Sequence, residues 1–381
     1  MEKLRIIGLF LLMVGCGGGT GDGQEANQKQ ITTTTWNVGL AHGYVDLAQA
    51  RQGPVVDALA AMDSDVLCLQ EVWSADDQTA VQVALENAGY EVHIYVTDGG
   101  GKTGGCTEEE AEPLKQCVFE KACDQIPQDQ LVDCVTGECG DALAALSGDC
   151  TGCLVQNLSL PVVEIMEKCI GATGTGVFSY DGHNGLVLAS KTPMTDIVEK
   201  DFDASLTYRS YIQAFIPAHE VTIVCTHLTA SLSAPYTGPY SGYEEEQAQQ
   251  IDQLVSELDT EQRIILMGDL NTGIDSTEND IVGELPNNFM KLSDANWTSH
   301  TFGACTWCPA NNTLIGSGPD RTIDHVLTND VWSAALTSSK VRILDGTVMV
   351  TNPDDENVET SLSDHYGMTV TLTWPDEAPA E

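Results

Sequence analysis

The chain has 381 residues, 42% of them hydrophobic, which is enough for a buried core and too apolar for a disordered tail. Its 57 acidic against 16 basic residues leave a net charge of −41, a field that repels phosphate backbones at long range and argues against a general nucleic-acid binder. On a solvated surface the same acidity needs no role beyond solubility.

In chain order, Lys3 and Arg5 precede an apolar run over residues 6–14. The run is too short to span a bilayer and reads as a signal peptide, so export is expected. It ends Met13-Val14-Gly15-Cys16, which resembles the cleavage box of bacterial lipoproteins, with Met where Leu is commonest. Cys16 would then be the lipidated first residue of a chain held at a bacterial cell envelope, with residues 1–16 as signal. A signal cut elsewhere would leave the chain secreted. Residues 17–30, Gly-rich at first, read as a flexible tether.

A main domain over residues 31–375 follows. Residues 31–38 (ITTTTWNV) are β-branched and strand-like, placing Asn37 near a strand end. The apolar spacing of residues 54–62 predicts a helix with Pro54 in its first turn, and residues 65–70 (DVLCLQ) a buried strand with Glu71 at its exit. A helix is expected over 74–88 and a strand over 90–96. The glycine-rich run 99–105 then breaks the pattern and introduces an insert at about 104–170, with helical patterning over 111–122, 141–146 and 162–170. Strands are expected over 184–189, 211–216 and 221–225, the last leading to His227. A helix follows over 247–258, then strands over 263–268, 322–327 and 368–372 and an acidic tail over 376–381. Strands alternating with helices, with polar groups at strand ends, describe a layered α/β protein.

Thirteen cysteines suit an oxidising compartment, and setting Cys16 aside leaves an even twelve. Eight crowd the insert, at 106, 117, 123, 134, 139, 150, 153 and 169. They admit on the order of 100 pairings, and without interleaved histidines they favour disulfides over metal. Cys305 and Cys308 form a further local pair. Cys68 and Cys225, inside apolar strands, read as small buried side chains or as one pair.

The chemistry lies in a repeated context: an apolar strand ending in a polar group, as in LCLQE (Glu71), TIVCTHL (His227), IILMGDLN (Asp269 and Asn271) and TIDHV (Asp324). Carboxylates on rigid strand tips suit a hard divalent cation, Mg²⁺ or another such as Mn²⁺ or Ca²⁺, that polarises a phosphoryl oxygen. His227 and His365 are available for proton transfer, with Asp324 a candidate orienter of His365. Arg209 could neutralise a phosphate oxygen or lie exposed on a sheet. His42, His183, His219, His300 and His325 read as structural, His325 because it follows Asp324 on a strand and points the other way.

The order WN, QE, THL, GDLN, IDH, SDH resembles the endonuclease/exonuclease/phosphatase superfamily. The resemblance implies a four-layer α/β sandwich, with two packed, mainly antiparallel sheets flanked by helices and carrying the helical, disulfide-rich insert. It implies Glu71 as principal metal ligand with Asn37 beside it and Asp364 near the metal or its water. Asp269 would orient the nucleophile, Asn271 the phosphate, His365 with Asp324 would act as general base or transition-state donor, and His227 would be the second acid or phosphate-stabilising group. Residues 305–327 (CTWCPANNTLIGSGPDRTIDHVL), ASKTPM and THLTA are similar to segments of neutral sphingomyelinases, with Cys308 where those often carry Asp. The acidic, exported setting then favours a sphingomyelin-like phospholipid, reached from a membrane through lipidated Cys16. The Tyr- and Pro-rich loop 233–243 offers either an aromatic lip for a head group or an ordinary loop. An extracellular DNase-like nuclease is the alternative, without a cationic patch to support it. A catalytically silent, lipid-anchored binding protein is the alternative of another class.

Overall fold

A computed structural model describes residues 28–376 apart from 43, 97–104, 128–129, 159, 171–183, 206, 233–235, 237, 259–260, 333–334 and 354. The signal segment, Cys16, most of the tether, His183, four residues of the 233–243 loop and residues 377–381 lie outside the described residues. None of the described helices is long and apolar enough to cross a membrane.

Two six-stranded sheets form the body. The first comprises β1 (Gln28–Asn37), β2 (Val66–Gln70), β3 (Glu91–Ile94), β4 (Val187–Ser190), β11 (Thr337–Ile343) and β14 (Gly367–Pro375), in the order β11-β14-β1-β2-β4-β3. The second comprises β5 (Thr195–Asp201), β6 (Ser210–Ile216), β7 (Val221–His227), β8 (Ile264–Asp269), β9 (Thr298–Ser299) and β10 (Asp324–Thr328), in the order β5-β6-β7-β8-β10-β9. A hairpin of β12 (Thr347–Thr351) and β13 (Asn357–Ser361) stands apart. Each sheet has one parallel pair among antiparallel neighbours, β1 with β2 and β7 with β8. Each parallel pair is joined through a helix, α1 (Ala48–Ala60) or α8 (Tyr243–Glu257), as parallel strands require.

Both faces of the central strands are buried, so alternation divides each strand between two cores. Ile31, Val66, Cys68, Ile223, Cys225, Ile265 and Met267 fill the space between the sheets. Trp36, Leu67 and Leu69 pack outward toward α1 and α2 (Ala75–Asn87), while Val224, Leu266 and Leu327 meet α8 and α9 (Pro286–Asp294). Helix, sheet, sheet, helix make the expected four-layer α/β sandwich. Of the two readings of Cys68 and Cys225 the structure shows the pair, a disulfide joining the two sheets at the middle of the sandwich.

Most boundaries shift by a few residues, and two of the shifts change a reading. Strand β1 starts at Gln28, inside the segment read as tether, because residues 28–30 pair with residues 373–375 of β14. Helix α1 starts at Ala48, so Pro54 lies in its interior instead of its first turn. The helix tolerates that proline because the turn before it is anchored elsewhere: Arg51 is fully buried and its guanidinium is spent on backbone carbonyls.

Between β3 and β4 the insert folds as α3 (Glu108–Glu120), α4 (Leu131–Glu138), α5 (Gly140–Ala144), α6 (Gly148–Gln156) and α7 (Val162–Cys169) around its own apolar cluster. Its eight cysteines pair internally, 106 with 150, 117 with 139, 123 with 134 and 153 with 169. A bridge between Cys106 and Ile170 closes the neck.

Candidate active site

Register brings the polar strand ends to one edge of the sandwich. Asn37 ends β1 opposite Gln70, Asp269 lies opposite both His227 and Asp324, and Asp364-His365 leads into β14 beside β1. All eight residues expected at the site converge there, which is the edge where both parallel pairs end.

Close approach of backbone makes the convergence possible. A Cβ on Gly268 would lie 1.9 Å from the Thr226 carbonyl oxygen, so only glycine lets β8 deliver Asp269 beside β7. A Cβ on Gly39, at φ +58°, would meet Asp364 Oδ1 at 2.5 Å. Glu71 and Asn271 follow their strands in the left-handed region, at φ 62° and 49°. That conformation is costly for Glu, and such strain collects at functional sites.

Asn37 Nδ2 donates to Glu71 Oε1 and to Asp269 Oδ2, both at 3.0 Å, and its Oδ1 accepts from the Gly39 N–H. The Asn37 amide thus couples the two carboxylates through nitrogen. His365 Nδ1 donates to Asp324 Oδ2 at 2.9 Å, the orienting contact expected from the sequence, and its Nε2 stands 3.8 Å from Asp269 Oδ2. His227 Nε2 stands 3.5 Å from the same oxygen. The Asn271 backbone N–H donates to Asp269 Oδ1, and its side chain donates to the Leu228 carbonyl.

Arg209 belongs to this group. It is 7% exposed, stands 5.9 Å from the Trp73 ring, and donates through Nη1 to His227 Nδ1 at 3.4 Å. A guanidinium only donates, so Nδ1 is the acceptor and the proton of neutral His227 sits on Nε2, facing Asp269. Of the two sequence readings of Arg209, the exposed one is excluded.

Burial, then Arg209 and His365, hold His227 well below the usual histidine range. Burial alone would lower His365 too, but Asp324 and Asp269 outweigh it and keep that imidazole protonated well above the usual range. Burial and the neighbouring Asp324 push Asp269 up to about 7. Glu71 is raised by burial and by Asp364. The site therefore holds one neutral and one cationic imidazole around a carboxyl poised near neutrality.

Supporting residues came to light only in three dimensions. Arg51 donates to the carbonyls of Gly39 at 2.5 Å and Leu362 at 2.6 Å, tying the loop after Asn37 to the loop before Asp364. Ser363 Oγ donates to the Asn37 carbonyl, and Gln247 on α8 reaches the carbonyls of Thr229 and Asn271. The TWCPANN segment buttresses the histidine: Thr306 Oγ1 accepts from the Asp324 N–H, its carbonyl accepts from Tyr366 N–H, and Asn312 donates to the Ser363 carbonyl. The Cys305–Cys308 disulfide staples that segment. ASKTPM lies at the opposite end of its sheet, where Ser190 pairs with Val66 at the start of β2. His325 points away from the site, as expected, toward the Thr272 carbonyl. In the loop after His227, Tyr236 hydroxyl bonds Glu246 and its ring packs edge-on against Tyr243.

The Endonuclease/Exonuclease/phosphatase family model matches residues 34–365. The chain belongs to that family. Its members hydrolyse phosphoester bonds and use divalent metals. A comparison with curated protein sequences returns no match. Among solved structures, sphingomyelinase C from Streptomyces griseocarneus superposes with a TM-score of 0.55 at 14% identity, over 90% of this chain and 99% of that one. A mutant beta toxin from Staphylococcus aureus with bound magnesium ions gives 0.54 at 12%, over 90% and 99%. An endonuclease/exonuclease/phosphatase from Beutenbergia cavernae gives 0.50 at 14%, over 92% and 73%. At these identities the likeness shows the family fold.

Proposed function

We propose that the chain is an exported, Mg²⁺-dependent phosphodiesterase that cleaves a sphingomyelin-like phospholipid by water attack. The observation that carries the chemistry is the meeting of Glu71 and Asp364 with the His365–Asp324 pair around Asp269. Sphingomyelinase C among the structural neighbours and the charge of −41, unfavourable to nucleic acid, support the lipid reading over a nuclease. Twelve cysteines joined in six disulfides support export, and the MVGC sequence supports lipidation at Cys16.

The donor set fits a hard cation. Glu71 and Asp364 are half-buried acceptors that raise the local negative potential, and among the described residues neither is hydrogen-bonded to a lysine or arginine. Glycine at position 39 leaves room for the Asp364 carboxylate against the backbone. Glu71 and Asp364 would hold the ion, with Asn37 fixing the Glu71 carboxylate through its amide N–H. When bound, Mg²⁺ supplies Lewis-acid polarisation of a phosphoryl oxygen.

The protein's own groups do the rest. Asp269, near neutrality and held by Asn37 and the Asn271 N–H, orients the attacking water and takes its proton. Protonated His365, fixed by Asp324, donates toward the departing oxygen. The His227 Nε2–H and Arg209 face the negative charge that grows on phosphorus, and Arg209 Nε, buried with no partner among the described residues, has a donor left for it.

The test is hydrolysis of sphingomyelin vesicles, phosphatidylcholine vesicles and plasmid DNA by the purified chain, with Mg²⁺ or with chelator. Phosphocholine release that needs Mg²⁺ and vanishes in Glu71→Gln is expected. Cleavage of DNA alone would move the assignment to a nuclease, and no cleavage with Mg²⁺, Mn²⁺ or Ca²⁺ would end the enzymatic reading. Palmitate labelling that persists in Cys16→Ser would remove Cys16 as the point of attachment.

A further inference from the structure

The five helices of the insert do not close on a solid core. They surround a recess of about 140 Å³, to which every one of them contributes, through residues such as Leu114, Leu131, Leu143, Leu154 and Ile165. The recess is apolar and open on one side, a shape that admits a guest from outside. Among the described residues no charged side chain lines it, in a chain with 57 acidic and 16 basic residues. A dry apolar cavity of about 150 Å³ takes up a benzene-sized guest, so the space suits a stretch of one unbranched hydrocarbon chain.

Two features point to a ligand and to its direction. Thr151, on α6, lines the recess at 2% exposure, and its hydroxyl has no hydrogen-bond partner among the described residues. A buried hydroxyl left unpaired is costly and is satisfied by a guest that carries one polar atom in a mainly apolar chain. The remaining lining comes from the catalytic sandwich: Tyr44 on the loop after Asn37, and Leu232 on the loop after His227. Leu232 is five residues beyond His227, which limits its distance from that histidine to about 18 Å. One leaflet of bilayer hydrocarbon is about 15 Å deep.

We infer that this recess binds a single hydrocarbon chain of a lipid, holding the tail of the molecule whose phosphodiester lies at Asp269 and His365. The inference rests on the phospholipid reading for the identity of the head group and on the recess alone for the tail. The insert is then a substrate-binding part, stapled so that it stays open. Thr151 accepts or donates one hydrogen bond to the amide or ester at the head of the chain, and the apolar walls exclude a charged or branched one.

The test separates the tail from the chemistry. Calorimetric titration of the full chain with N-methyldecanamide, a neutral chain with one amide and no phosphate, is expected to show one site. Val135→Trp, which fills the recess from α4, should weaken that binding at least tenfold, and the isosteric Thr151→Val, which preserves packing, should weaken it several-fold. In turnover, Val135→Trp should lower kcat/KM tenfold for a decyl phosphocholine diester and leave the ethyl counterpart unchanged. No binding by the wild-type chain, or wild-type binding by both variants, overturns the inference whatever the hydrolysis shows. Equal loss on the decyl and ethyl substrates also overturns it. Binding of the amide by a chain that cleaves neither diester supports the recess and removes the phosphodiesterase reading instead.

Discussion

The sandwich and the insert solve the same problem, burying apolar surface, by opposite means. In the sandwich, central strands packed on both faces hold site groups at their tips, and one disulfide crosses a filled core. In the insert, five helices of 5 to 13 residues enclose a recess and are held by four disulfides. A site that must hold oxygens and imidazoles 3–4 Å apart needs sheet rigidity, whereas a chain-binding cover needs only to stay open.

The largest effect should fall on the sandwich. His365→Ala removes the proton donor and is expected to lower kcat on a small soluble diester by about 10²–10⁴-fold, with the folded circular dichroism spectrum retained. Stopped activity without unfolding would place chemistry in the sandwich; near-wild-type turnover would remove the role of His365. The matching cut in the insert is Cys106→Ser with Cys150→Ser, which opens a loop of 44 residues and should cost the insert about 4 kcal/mol. Rapid proteolysis within residues 106–170, with turnover of the small diester retained, is the expected pattern. Loss of that turnover would mean that the insert also supports the site.

Acid should distinguish the two regions next. His325 is buried against Phe289 and bonded to the Thr272 carbonyl, and burial lowers its imidazole to about 4. Between that value and the ordinary 6.5 the unfolded chain binds the extra proton and the folded one does not. Stability from this group is therefore complete above pH 6.5 and falls by about 3 kcal/mol as pH drops to 4. The insert contains no histidine and gains no such slope. Urea unfolding at pH 7 and 4.5 should show a smaller loss of stability in His325→Gln than in the wild-type chain, because His227 keeps its own share of the slope; an equal loss in both would assign it to other groups.

This contrast also explains what could be read from the sequence. Asn37, Glu71, His227, Asp269 and Asp324 were legible because each caps an apolar strand buried on both faces. The exposed edge strands β5 (TDIVEKD) and β11 (TSSKVRI) were not, since solvent on their faces erases the hydrophobic signal. Helices α4 and α6 were missed because CVTGE and GDCTGC have poor helix propensity and are held by cross-links instead. Arg209 and Arg51 carry no local mark: what makes them part of the site is burial against loops distant in sequence, beside His227 in one case and the Leu362 carbonyl in the other. Disulfide partners in the insert were likewise a matter of three-dimensional neighbours.

The smallest test asks whether the two regions unfold separately. Ser74 caps α2 in the sandwich, accepting from the Asp77 N–H at 3.0 Å, and Thr107 caps α3 in the insert through a reciprocal box with Glu110. Either cap is worth about 1 kcal/mol by substitution with alanine. Ser74→Ala should lower the global free energy of unfolding by that amount, and the urea midpoint with it, because α2 packs on the core of the first sheet. Thr107→Ala should instead speed amide exchange only over residues 108–120, because the neck at Cys106 and the insert's internal disulfides make it a separate cooperative unit. If Thr107→Ala shifts the global midpoint as far as Ser74→Ala does, the insert and sandwich unfold as one body, and the recess is then held open by the sandwich as well as by the cross-links.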